Sequence, residues 1–488
     1  MSGIEAPGLA FGIEIDATRH LAADADRIEA LITIGAPSAE MAGHPPRIAE
    51  ILIMDRSSSM WGHNKIHEAL RAACAAIDGL PDGALFAIIA GNHTTEPVFP
   101  ATGELAAADA GTRAAARRQV MNLRPDGGTR ISRWLIAAAG LFAAGAAPGA
   151  ARHAVLYTDG KNQHETREEL DRALSTCADQ FACDVRGLAG DWDYAELEHI
   201  ADALHGDATA VLRVADLTDD FTQLIRRVRR VVTPRTYLRL TPSEWSRIAA
   251  ITQEFPRQAD LTPDQRPAGD AAVDVPLGAW EERETRRYKL SLRFDPAALP
   301  AVKEGESLRA VRVDLLAELA GGVHAHCAEA PLEVRRHATP GFQTQVPESL
   351  TRVEKERELT MAMRACADAW LSGRPADADG ELAVAIRLAR ESDDARLPLL
   401  EGIAVPAPDG GVRVHPGVTH GEIQRLGLHS TKTGRPVAIA PASGRAGGEG
   451  GRSAGARTCR GCGELADEEA GLTFCEACGA QFEGGNLP

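Results

Sequence analysis

Between Ile51 and Gly62 the chain reads ILIMDRSSSMWG. Four apolar residues run directly into an aspartate and three serines. An apolar run without polar alternation is the form of a parallel strand buried on both faces. Small oxygen-bearing side chains at the end of such a strand sit where open α/β sheets bind ligands. The stretch thus bears on both the class of its domain and the place of its site.

The surroundings repeat the pattern. From about 48 to 232, the apolar runs EILIMD, LFAIIAG, HAVLYTD, CDVRGLAG and TAVLRVA alternate with amphipathic segments such as KIHEALRAACAAIDGL and TREELDRALSTCADQF. This alternation predicts a doubly wound α/β domain, a mostly parallel sheet with helices on both faces. HTTEPVFP predicts a short edge strand, because Pro97 and Pro100 suit an edge. The run from Trp134 to Ala151 is apolar but short for a membrane span and holds Gly and Pro, so it predicts a core helix.

Outside that region the period changes to two. Phe11, Ile13 and Ile15 share one strand face, and Ile28, Ala30, Ile32 and Ile34 another. Tyr288, Leu290, Leu292 and Phe294 do the same, as do Val311, Val313 and Leu315. Such alternation predicts half-buried antiparallel strands. The expected organisation is N-terminal strands (1–47) that complete a β-sandwich (233–342), with the α/β domain (48–232) inserted between them. A helical region (343–439) should follow, with a hairpin turning at Gly373–Pro375. A flexible Gly/Ser/Ala linker (440–456) and a small cysteine module (457–488) close the chain.

At 488 residues the chain is too long for one core. Its formal net charge of −16 argues against binding nucleic acid through phosphates and against docking on anionic membranes. The N-terminus has no charged-then-apolar signal pattern, and the nine cysteines are an odd number that includes two CxxC pairs. Together these predict a cytoplasmic protein with a metal site rather than a disulfide framework.

Asp55, Ser57 and Ser59 form D-x-S-x-S at the first α/β strand end. RPDGGTRIS presents Thr129, and LYTDGKNQ presents Asp159 at a further strand end. Strand ends of one parallel sheet converge at its carboxyl edge. Two carboxylates and three hydroxyls make a hard, all-oxygen site suited to Mg²⁺ (or Mn²⁺), which keeps waters and so leaves a position open.

This set resembles the metal-ion-dependent adhesion site of von Willebrand factor A domains. The resemblance covers roughly residues 48–232, with Ser58 where many members carry glycine. It implies that Ser57, Ser59 and Thr129 contact the metal, that Asp55 and Asp159 assist directly or through water, and that a partner protein supplies an Asp or Glu. Trp61, His63 and His93 are expected beside that position. VPLGAWEERETRRYKLSLRF and HSTKTGRPV resemble bacterial, actinobacterial-type proteins that join such a domain to a sandwich and a helical tail. These accompany forkhead-associated, kinase, phosphatase or MoxR-type ATPase components.

A second metal pattern stands in the tail. Cys459, Cys462, Cys475 and Cys478 form two CxxC knuckles separated by twelve residues, which resembles a zinc ribbon holding one Zn²⁺. Cys177 and Cys183 are expected in the core, and HAHC at 324–327 is a weaker ligand-like cluster. GxxxxGK[ST] and GxGxxG are absent from the sequence. The expected function is therefore non-enzymatic: a Mg²⁺-dependent interaction scaffold in bacterial signalling or stress response. The alternatives are a substrate-recruiting subunit of a MoxR/AAA-type ATPase or chelatase, and a metal-dependent hydrolase. The hydrolase would need a base such as His63 or His164, and neither has an evident orienting partner.

Overall fold

A computed structural model describes residues 4–5, 9–38, 46–145, 149–160, 162, 164–213, 216–269, 271–300, 306–318, 324–337, 342–407, 410–434, 456–458 and 465–467. Cys459, Cys462, Cys475 and Cys478 lie outside them.

Strands β1 (Gly12–Ala17) and β2 (Arg27–Gly35) precede the α/β unit. That unit runs β3 (Ile48–Asp55), α1 (Lys65–Gly79), β4 (Leu85–Gly91), β5 (Thr95–Phe99), α2 (Ala110–Val120) and α3 (Ile131–Gly145). It continues with β6 (Ala151–Thr158), α4 (Arg167–Cys177), β7 (Ala182–Leu188), α5 (Tyr194–Ala203), β8 (Ala208–Val211) and α6 (Leu217–Arg229). The strands lie in the order β8-β7-β6-β3-β4-β5, and all neighbours are parallel except β4 and β5. Pro97 thus falls on an antiparallel edge strand, where its missing N–H costs least. The helix expected across Trp134–Ala151 ends at Gly145, and Ala151 opens β6 instead.

The unbroken apolar run 51–54 of β3 follows from burial on two sides. Leu52 and Met54 pack in one core with α1, α2 and α6. Ile51 and Ile53 pack in another with α3, α4 and α5. Successive side chains alternate between sheet faces, so a run covered on both faces is apolar at every position, and Glu50 of the same strand is buried against His153. After β3 the chain moves to β4 on one side, whereas β6, β7 and β8 build outward on the other. The gap between the ends of β3 and β6 is the switch point of the sheet, the place where such folds form a crevice.

The next strands are β9 (Val231–Pro242), β10 (Ser246–Phe255), β11 (Val273–Glu281), β12 (Thr285–Phe294), β13 (Leu308–Glu318) and β14 (His324–Arg336). One sheet runs β14-β13-β9-β11 and the other β10-β12-β2-β1, each widened by short edge strands. The pairing of β2 with β12 sets Ile32 opposite Tyr288 and joins segments on either side of the α/β unit. Ile28, Ile32, Ile34, Leu240, Tyr288 and Val313 belong to one buried cluster that both sheets share.

Helices α7 (Glu348–Leu371) and α8 (Pro375–Glu391) form an antiparallel pair. Gly373 turns it with φ +71, and Pro375 stands at the start of α8, where its missing N–H is no loss. The region expected to be helical also holds a strand pair, Ala404–Pro406 with Val412–Val414, between α9 (Leu397–Gly402) and α10 (His420–Ser430). It docks on α5. The Tyr194 hydroxyl donates to Asp368 Oδ1 at 2.5 Å, and the Tyr194 N–H to Gln424 Oε1 at 2.8 Å.

Candidate metal centre

Three loops meet at the carboxyl edge of the parallel sheet. The loop after β3 turns at once into a 3-10 segment, Ser58–Asn64. It is stitched to the loop before α3 by two backbone bonds: the Ser58 N–H to the Gly127 carbonyl at 2.8 Å, and the Asp126 N–H to the Arg56 carbonyl at 2.7 Å. The third loop follows β6 and carries Asp159 and Gly160, and its His164 N–H donates to the Thr129 carbonyl at 3.2 Å. The loops are therefore held by main-chain bonds that do not depend on the side chains of the site.

Within this frame Asp55, Ser57, Thr129 and Asp159 are buried and Ser59 is exposed. Asp55 Oδ1 accepts from the Ser57 N–H at 2.7 Å, and Asp55 Oδ2 from the Thr158 hydroxyl at 2.6 Å. The Ser57 and Ser59 hydroxyls are 2.8 Å apart, and Ser59 donates to Asp159 Oδ1 at 2.6 Å. Thr129 is placed by Gly160, where an added Cβ would lie 3.3 Å from both Ser59 Oγ and Thr129 Oγ1. A side chain there would crowd the space these hydroxyls face. The five residues singled out in the sequence thus come together at one crevice.

Burial pushes the Asp55 carboxyl up to about 6; the bonds from Thr158 and Ser57 oppose the rise, and the charge of Asp159 adds to it. Two acidic groups this close and desolvated favour a cation between or beside them. The donors are all hard oxygens, so the set fits Mg²⁺ or Mn²⁺ and does not suit a soft metal.

Two participants escaped the sequence reading. Thr158 orients Asp55, and adjacency to Asp159 was its only signal. Lys65 is buried and donates to Asp159 Oδ2 at 2.6 Å.

Around the crevice, Trp61 is 61% exposed, and the exposed His93 and His164 rings lie 6.3 Å apart, edge to face. The side chain of His63 lies outside the described residues. Cys177 and Cys183 are fully buried with their thiols pushed up by burial, as core residues should be. His326 of the HAHC run stands 3.2 Å from Asp314 and 3.8 Å from Glu329, and the three offer donor atoms within 4.8 Å of one another. Asp314 is already engaged by Arg312 at 2.9 Å.

The model of the von Willebrand factor type A domain matches residues 49–210. A solved structure described as von Willebrand factor type A from Catenulispora acidiphila is 32% identical, with a TM-score of 0.79 over 88% of this chain and 98% of its own. The ArnB paralog VWA2 from Sulfolobus acidocaldarius is 12% identical, with a TM-score of 0.54 over 86% of this chain and 98% of its own, a likeness of fold. No curated protein matches the chain. No helix among the described residues is long and apolar enough to cross a membrane.

Proposed function

This chain belongs to the von Willebrand factor type A family, and from that premise we propose that it is a non-enzymatic scaffold that binds a partner protein through a divalent metal. Ser57, Ser59 and Thr129 would hold Mg²⁺, with Asp55 and Asp159 beside them. When bound, the ion supplies a positive charge to which an Asp or Glu of the partner can ligate. The observation that carries this reading is the convergence of two carboxylates and three hydroxyls at the sheet switch point, beside an exposed tryptophan. Trp61 offers an aromatic surface next to a charged one, a combination common at the energetic centres of interfaces. We place the scaffold in the cytoplasm of a bacterium and read the C-terminal cysteines as a zinc ribbon.

The test is capture of partners on the immobilised chain in Mg²⁺ and in EDTA. Binding should vanish in EDTA, return with Mg²⁺, and weaken strongly in Thr129→Ala, which removes one hydroxyl and leaves the core alone. Partners retained equally in EDTA would make the crevice structural and move the interaction surface elsewhere on the chain.

A further inference from the structure

Lys65 is a costly residue where it stands. Its side chain is 5% exposed, so its ammonium is largely withdrawn from water. Burying an ammonium in this way is tolerated only against a well-placed anion. The anion is Asp159, whose side chain is fully buried and whose two oxygens are both engaged, one by Lys65 at 2.6 Å and the other by Ser59 at 2.6 Å. On the solvent side the ammonium also lies 3.5 Å from Asp191, whose side chain is 76% exposed.

We propose that Lys65 is a resident counter-cation that sets both how tightly the crevice holds a divalent ion and what the loaded crevice then attracts. The proposal rests on the reading of this crevice as a divalent metal site. Two ionised aspartates and a divalent ion would balance to zero. Among the buried groups Lys65 adds one positive charge, since the largely exposed Asp191 is screened by water, so the buried part of the loaded crevice carries a net charge that an incoming carboxylate neutralises. The same charge opposes entry of the ion, since two cations a few ångströms apart in a partly desolvated site repel strongly. Asp191 gives the ammonium a second anion to turn to when the metal draws on Asp159. Lys65 thus exchanges metal affinity for selectivity toward acidic ligands, and it is a positioning and specificity residue rather than a metal ligand.

The test is calorimetric titration of the full chain with Mg²⁺ alone, in wild type, Lys65→Met and Lys65→Gln, at one pH and one ionic strength. Glutamine can still donate a hydrogen bond to Asp159, which protects the fold if methionine does not. Both neutral variants should bind Mg²⁺ about tenfold tighter or more. Acetate titrated into the Mg²⁺-loaded protein and followed by NMR should bind the variants more weakly than wild type. Unchanged or weaker Mg²⁺ affinity in a folded neutral variant overturns the proposal, as does unfolding of both variants, which would make the ammonium a structural support. If wild type binds no Mg²⁺ and the neutral variants do, Lys65 is confirmed as the resident cation and the adhesion reading fails. If none of the three binds, both fail.

Discussion

Asp55 illustrates a residue kept at the expense of stability. Its carboxyl is buried beside a second aspartate, and its folded-state value of about 6 stands above the ordinary 3.8. A carboxyl raised in this way favours the folded state fully below the unfolded value, and that advantage is lost as pH rises through about 6. At neutral pH the ionised group therefore weighs against the metal-free fold by about 3 kcal/mol at most. Asp55→Asn keeps an acceptor for the Ser57 N–H and removes the charge. The metal-free variant should melt higher than wild type at pH 7, with the difference shrinking toward pH 4, while Mg²⁺ binding is lost. A lower melting temperature at pH 7 would show that the Thr158 and Ser57 bonds outweigh the burial of the charge.

At the level of elements, the central strands are tied by charge at the end opposite the crevice. Registered pairing sets Glu50 of β3 against His153 of β6. His153 Nδ1 lies 2.9 Å from Glu50, and its Nε2 lies 3.6 Å from Asp184 of β7, so one imidazole bridges three strands. Burial alone would push His153 down, but Glu50 and Asp184 together raise it to about 10. This contribution is complete below pH 6.5 and is lost as pH rises through about 10. His153→Ala should cost about 3–5 kcal/mol near neutrality, because it strands Glu50 without a partner. Urea unfolding at several pH values checks this. Wild type should weaken between pH 7 and 10, and the variant should lack that part of the decline. Parallel pH curves for the two proteins would count against the triad.

On the scale of the whole molecule, the α/β unit leaves the sheet region after β2 and returns at β9, and the helical region clasps it from a third side. Glu198 of α5 receives Arg364 of α7 and the Thr431 hydroxyl, the latter at 3.0 Å. This docking runs beside the loop that carries Asp191, so the helical region and the crevice share a neighbour. The cysteine module is expected to stand apart. Four thiolates in two knuckles supply a complete tetrahedral shell, and so small a unit depends on its metal to fold. Purified without chelator, the chain should carry one zinc by elemental analysis. Cys459→Ser should lose it while the main melting transition stays where it was. Absence of zinc in wild type would remove the ribbon, and a shift of the main transition would show that the module is integrated.

Much of this architecture is legible in the sequence because burial writes a period into the chain. Ile51 to Met54 could be read as a doubly buried strand, since alternate faces both needed apolar residues. Ile28, Ala30, Ile32 and Ile34 could be read as one face of a strand, and all four are buried. Asp55, Ser57, Ser59, Thr129 and Asp159 could be nominated together because strand ends of a parallel sheet must meet at one edge. What carries no local period had to wait for the tertiary structure. Lys65 looks like any lysine on an amphipathic helix until the fold places Asp159 within 2.6 Å of it. Thr158 is an ordinary strand residue until it faces Asp55. Local pattern thus determined most of the elements and nominated the five oxygen-bearing residues of the crevice. The charge balance of the crevice was decided only by long-range packing, because electrostatic partners are set by distance in space and leave no spacing in the chain.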